Sequence, residues 1–165
     1  MIDLKFKRII NKPVEEVWKC VFDDFAKAHL WAMGTPTCRK GQPDENFDRV
    51  CDTETGRLKD TITKVDRDNY MFEFTVEGLP FFVRSVVSTW KLRELSINQT
   101  EITLGPRIEV KPGIGTIAQI PMRLAFKRLY PGLLDDLTTY IETGRPSSRK
   151  QEEINRLRRY DKVVN

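Results

Sequence analysis

Apolar residues recur along this chain with two different periods. In NKPVEEVWKCVFDDF, residues 11 to 25, Val14, Val17, Trp18, Val21, Phe22 and Phe25 are spaced three and four apart, which is one face of a helix. Pro13 suits the first helical turn, where its missing N–H costs nothing. Glu15 and Glu16 stand where the helix dipole favours negative charge. A second helical piece, AKAHLWAM, stops near Gly34 with Pro36 just beyond. Ahead of both, Ile2, Leu4 and Phe6 alternate with Asp3, Lys5 and Lys7, the period of a half-buried strand.

From residue 46 onward the period of two dominates. NFDRVCD and RLKDTITKV flank TETG, a turn whose glycine suits a positive φ. DRDN separates RLKDTITKV from YMFEFTVE, and GLP breaks the next junction. FFVRSVVSTWKLREL reads as a long strand with a bulge, and SINQ turns it into TEITLGPRIEV. Successive hairpins predict an antiparallel meander; the alternating β and α units of a parallel sheet are missing.

The helical period returns after KPGIG. Met122, Phe126, Leu129, Leu133, Leu137 and Tyr140 share a face, widened by Ala125, Tyr130, Leu134 and Ile141. That face runs about 28 Å at 1.5 Å per residue. Pro131 lies inside it, which predicts a kink. Thr143-Gly144 followed by Pro146 is a C-terminal stop. A long apolar helix and a twisted sheet with one apolar face are natural partners, and a strongly curved sheet leaves a gap between them.

Composition narrows the class. The 165 residues suit one domain, and 39% hydrophobic with 32% charged residues is ordinary for a soluble globular chain. No run reaches the about 18 apolar residues of a membrane span. The charged, alternating N-terminus is unlike a signal peptide. Cys20, Cys38 and Cys51 form no C-x-x-C pair, so the expectation is reduced thiols in a cytoplasm. Residues 145–165 carry seven basic and three acidic side chains, so the whole net charge of +4 resides there. Residues 1–144 are neutral, which argues against a nucleic-acid partner. The tail reads as a basic extension, with a further helix through Ile154, Leu157 and Tyr160, and an acidic partner is one use for it.

The segments PVEEVWKCVFDDFAKAHLW, the Arg49-Val50 strand, GRLKDTITKVD, YMFEFTVEGLP, STWKL and PGLLDDLTTYIETG together resemble the START/Bet v 1-like (SRPBCC) superfamily, in its polyketide cyclase/dehydrase and lipid-transport branch. The resemblance spans residues 2 to about 144. It implies an α+β helix-grip fold: a curved seven-stranded antiparallel sheet around a long C-terminal helix, with two short helices after the first strand. It also implies a hydrophobic ligand cavity between sheet and helix, in residues 1–144, with 145–165 as an appendage. Members bind lipids, hormones or polyketides, and a minority catalyse. Two departures lie near the expected mouth: Ala32-Met33-Gly34 where relatives carry a proline after the tryptophan, and polar GQPDENFD where they are glycine-rich.

Candidate chemistry is sparse. Leu58, Asp60 and Ile62 share a strand face, so Asp60 points inward if that face is the apolar one. Such a carboxylate needs a partner or a proton. It reads as a ligand anchor or general acid/base, or as an ion pair with a cation of the next strand. Tyr130 is the second candidate for proton chemistry. The inner faces nominate Trp31, Phe72, Phe74, Trp90, Leu104, Met122, Phe126, Tyr130 and Leu133 as ligand contacts, while Trp18 is expected to plug one end as solid core. His29, the only histidine, cannot build a multi-histidine metal site, and no glycine-rich phosphate loop, G-x-S-x-G or H-E-x-x-H is present. No metal or cofactor is expected. The sequence therefore supports a binder or carrier of a lipid, polyketide or isoprenoid-like molecule. An enzyme of the cyclase/dehydrase kind and a module docking through its basic tail remain the alternatives.

Overall fold

The computed structural model describes residues 1–54 and 56–164. The N-terminal alternation yields two short strands instead of one, β1 (Ile2–Asp3) and β2 (Phe6–Ile10). Both pair antiparallel with β8 (Gln99–Val110). The interruption falls opposite Pro106. The Leu4 N–H donates to the Pro106 carbonyl at 3.2 Å, but proline has no N–H to return.

The meander forms as the turn signals predict, with one strand more. After β3 (Thr37–Lys40) come β4 (Arg49–Thr53), β5 (Gly56–Asp66), β6 (Met71–Glu77), β7 (Val83–Ser96) and β8, giving the order β1-β8-β7-β6-β5-β4-β3 with β2 alongside β8. Seven positions result, with the first shared by β1 and β2. Gly56 takes φ 134° in the β4–β5 turn, whose Thr55 lies outside the described residues. The expected bulge in β7 is the register shift between Val83 and Ser85. Strand β3 has no apolar alternation, because it is a short, largely exposed edge.

The opening helix is shorter than its periodicity suggests. α1 (Val14–Trp18) passes into a π turn at Lys19–Asp23 and then a 3-10 helix at Phe25–Leu30. α2 (Ile114–Thr143) runs through both Pro121 and Pro131 and stops at Gly144, whose φ of 70° is left-handed and whose N–H bonds the Tyr140 carbonyl at 2.8 Å. α3 (Ser148–Val164) follows. This is the α+β helix-grip arrangement, an antiparallel sheet holding a long helix. No helix among the described residues is long and apolar enough to cross a membrane.

Two apolar clusters divide the interior. The larger joins α1, the 3-10 helix, Phe72, Phe74, Trp90, Ile102 and Leu104 to Leu134 and Leu137 of α2. Trp18 is buried in it against Phe22, Tyr70 and Phe72. The smaller is built on Ile2, Leu4, Val83, Val86 and Ile108, with Met122 and Phe126 of α2 laid over it. The site lies against the larger cluster, whose Val21, Phe25, Phe72, Phe74 and Trp90 also border open space.

The expectation of three reduced thiols is corrected. Cys38 and Cys51 are disulfide-bonded, because the β3–β4 register sets them directly opposite with Cα atoms 4.1 Å apart. The sequence shows no close cysteine pair, since the closure depends on a strand that its pattern does not reveal. Cys20 is the remaining free thiol. The charged tail also differs from a solvated extension at its start: Lys150 and Glu153 of α3 are buried and paired with each other.

Candidate functional site: a half-open apolar cavity with one polar wall

Between the inner face of the sheet, the π turn, the 3-10 helix and α2 lies a cavity of about 390 Å³. That is within the ~300–1,000 Å³ of small-molecule sites. Its floor is aromatic and aliphatic: Val21, Phe25, Ala28, Phe72, Phe74, Val76 and Trp90. Alternation in β6 turns Phe72 and Phe74 inward together, and Phe72 stacks on Trp90 of β7 with centroids 5.9 Å apart. The π turn contributes Cys20 and Val21, a bulge that brings both side chains to the wall. Burial, reinforced by Asp24, pushes the Cys20 thiol up to about 12, so it lines the wall as an inert hydrophobe.

The polar wall is built by the β4–β5 pairing, which sets Arg49 opposite Asp60. Arg49 Nε donates to Asp60 Oδ2 at 2.7 Å and its Nη2 lies 2.5 Å from the same oxygen. The third guanidinium nitrogen, Nη1, donates to the Phe25 carbonyl at 2.8 Å, and the guanidinium lies 3.7 Å from the Phe25 ring centroid. Burial raises the Asp60 carboxyl above its ordinary value, with Arg49 acting the other way. Burial likewise lowers the Arg49 guanidinium, opposed by Asp60. Both Arg49 contacts use Oδ2, and no hydrogen bond from a described residue reaches Oδ1.

Tyr130 comes from α2 and lines the same cavity. Its ring stacks on Phe6 at 5.1 Å and packs by Phe126 at 5.6 Å. Its hydroxyl meets no hydrogen-bond partner among the described residues. Burial first, and the Asp60 charge second, raise its pKa, so it remains a neutral donor. Ser88 completes the polar set. Its Oγ accepts the Trp90 Nε1–H at 3.1 Å, which ties up the indole tip and leaves the serine O–H to donate.

The mouth is bordered by Met33, Gly34, Thr35, Glu54 and Leu129. Its loop is held from the C-terminal side. Met33 N–H donates to Asp136 Oδ2 at 3.3 Å, Gly34 N–H to Glu153 Oε1 at 2.9 Å, and Lys150 Nζ to the Thr35 carbonyl at 3.0 Å. Asp136 also holds Ser147 and both sides of the Arg149 fork. Gly132 on α2 makes room for that fork, since a Cβ there would sit 2.8 Å from an Arg149 nitrogen. His29 lies just behind. Among the described residues its Nδ1 is buried without a hydrogen-bond partner, and burial together with the Lys150 charge lowers its pKa, with the Ala26 backbone acting the other way.

Of the residues the sequence nominates, Trp31, Asp60, Phe72, Phe74, Trp90, Tyr130 and Leu133 meet at this cavity. Leu104 is in the core beneath it, and Met122 and Phe126 lie over the smaller cluster; none of the three borders the space. Leu129, placed by its spacing on the apolar face, is 56% exposed at the rim. Sequence reasoning passes over Arg49 as the specific partner of Asp60, and over Ser88. The first was within reach: pairing Thr53 with Gly56 across the turn and counting back four residues on each strand gives Arg49 opposite Asp60. Among the described residues, no group of three or more His, Cys, Asp or Glu side chains could hold a metal ion.

Residues 1–142 match the family described as "Polyketide cyclase / dehydrase and lipid transport". Among solved structures, the chain is similar to the Zhui aromatase/cyclase from a Streptomyces species, with a TM-score of 0.71 at 10% identity over 86% of this chain and 93% of that one. It is also similar to the protein XoxI from Bacillus cereus (TM-score 0.69, 15% identity, 86% and 96% covered) and to Ara h 8.0201 (0.63, 12%, 85% and 97%). At these identities the likeness is one of fold. No curated protein matches the chain in sequence.

Proposed function

The chain belongs to the polyketide cyclase/dehydrase and lipid transport family, and from that premise we propose that it binds and carries a hydrophobic small molecule in the half-open cavity. What supports this most directly is the division of the wall. Aromatic and aliphatic side chains make most of it, and the Arg49–Asp60 pair, Tyr130 and Ser88 gather on the remainder. A ligand suited to it has a lipid-, polyketide- or isoprenoid-like body and at least one oxygen able to accept from the Tyr130 or Ser88 hydroxyl. Arg49 is occupied by Asp60 and Phe25, so among the described residues of the wall no cation is left unpaired for a carboxylate or phosphate.

Native mass spectrometry of the purified protein, and titration with an apolar fluorophore such as N-phenyl-1-naphthylamine read through Trp31 and Trp90, test this reading. A retained organic adduct or saturable one-to-one binding is expected. Ala32→Phe, which fills the cavity, should abolish binding while the protein stays folded. Binding that persists unchanged in that variant would place the ligand elsewhere and sink the proposal.

A second reading is favoured by one observation: Asp60 and Tyr130 line the same cavity. They could move protons on a folded poly-β-ketone, as in an aromatase/cyclase. Tyr130→Phe separates the two. A carrier loses roughly 5- to 10-fold in affinity, the worth of one hydrogen bond. An enzyme loses turnover of a linear poly-β-ketone substrate by roughly 100-fold or more with affinity little changed.

A further inference from the structure

Helix α2 is apolar on two sides. Met122, Phe126, Tyr130 and Leu133 face the sheet and cavity. On the opposite side Ile117, Ile120 and Leu124, three and four residues apart, share a face and are 81%, 73% and 55% exposed. Exposed apolar residues scattered singly need no explanation, but an aligned set does. Arg123 and Lys127 flank this stripe on one side and Arg128 on the other, all exposed. Between Glu109 and Asp135 the chain carries four cations, with Lys111 the fourth, and no acidic residue. None of the four enters an ion pair with a described residue, whereas Arg84 and Arg107 nearby are paired with Glu109 and Glu73. Phe81, 72% exposed, projects at the same end of the molecule, where the Lys111 N–H bonds the Phe82 carbonyl.

We infer that the outer face of α2 docks on an anionic lipid surface. The three aliphatic side chains enter the boundary between headgroups and acyl chains, and the flanking cations meet lipid phosphates. Charge complementarity selects this occupant. A second copy placing the same stripe against this one would bring Arg123, Lys127 and Arg128 against their like. The stripe is also convex and spans only about 10 Å, so it offers no groove to a partner helix. A patch this small binds weakly without the electrostatic part, so attachment is expected to be reversible and salt-sensitive. The inference goes beyond the cavity reading and does not depend on it. If both hold, the same helix touches the membrane and borders the cavity mouth at Leu129, which suits the pickup or delivery of an apolar ligand.

The test is flotation of the full chain with vesicles of phosphatidylcholine alone, or of phosphatidylcholine with one quarter phosphatidylglycerol, at low and high salt. The protein should float with the anionic vesicles at low salt and stay in solution otherwise. R123E/K127E and I120S/L124S should each lower the bound fraction by roughly tenfold or more, with circular dichroism unchanged. No partition onto anionic vesicles, or partition untouched by both double variants, overturns the inference. So does an I120S/L124S protein that binds vesicles as before but turns from dimer to monomer, because the stripe then serves a second copy. Fluorophore binding measured without vesicles reports on the cavity alone, which keeps failure of the carrier reading separate.

Discussion

At the scale of single residues, the Arg49–Asp60 pair is the most consequential contact in the molecule. Both groups are buried, each desolvated in a way that disfavours its charge, and each compensated by the other. Arg49→Met should cost about 3–5 kcal/mol near neutral pH, because it leaves a buried carboxylate alone. Asp60 has a raised folded pKa, so its contribution to stability is full below its unfolded value of about 3.9 and is lost as pH rises through the folded value. The variant pushes that folded value further up. Its melting temperature should therefore recover toward acid pH relative to wild type, and a uniform loss across pH would mean that Asp60 is not the stranded charge. His29 works in the opposite sense. Its folded pKa is lowered by burial and by Lys150, so stability should decline as pH falls from about 6.5, where the unfolded chain already takes up the proton. His29→Gln should flatten that slope in chemical-denaturation curves, whatever it does to stability at pH 8. Asp60 was legible as an inward carboxylate from its alternation with Leu58 and Ile62. Its partner was legible only with the hairpin register in hand, since alternation assigns faces and not neighbours.

At the scale of elements, the surprise is α3. Its six cations against three anions read as a solvated appendage, yet its first two turns plant Lys150 and Glu153 in the interior and hold Gly34 and Thr35 at the cavity mouth. A charge count cannot reveal this, because burial of a lysine becomes tolerable only when a backbone carbonyl and a carboxylate converge on it. Lys150→Met leaves Glu153 without its cation. It should raise hydrogen exchange in α3 and in the 33–35 loop well before the sheet exchanges, and should speed release of a bound fluorophore. Exchange confined to the far end of α3 would argue that the helix does not secure the mouth. The strands tell a similar story. Alternation and turn residues placed β4 through β8. The split of the first strand followed from Pro106 on a partner strand about a hundred residues away, and the edge strand β3, with the disulfide it makes, left no apolar pattern to read.

At the scale of the whole molecule, the grip leaves space beside its larger apolar cluster unfilled, and an unfilled apolar space lowers stability until something occupies it. Saturating the cavity should therefore raise the melting temperature. At a free concentration of about 100 times Kd the gain is about 2.7 kcal/mol, and Ala32→Phe should remove the ligand-dependent part. A fluorophore that binds without any thermal shift would indicate a surface site. The sequence by itself determined the architecture, because the period of two, the period of three to four and the turn residues are local properties that the chain carries in every conformation. It also determined most of the side chains that face inward, with Leu129 exposed at the rim as an exception. Tertiary structure alone decided which inward faces enclose space and which fill it: Phe72 and Trp90 border the cavity, whereas Leu104, Met122 and Phe126 share their spacing and are packed over. Packing density depends on how far sheet and helix are held apart, and that distance is set by contacts among residues remote in sequence, from Pro106 against Leu4 to Lys150 against Thr35.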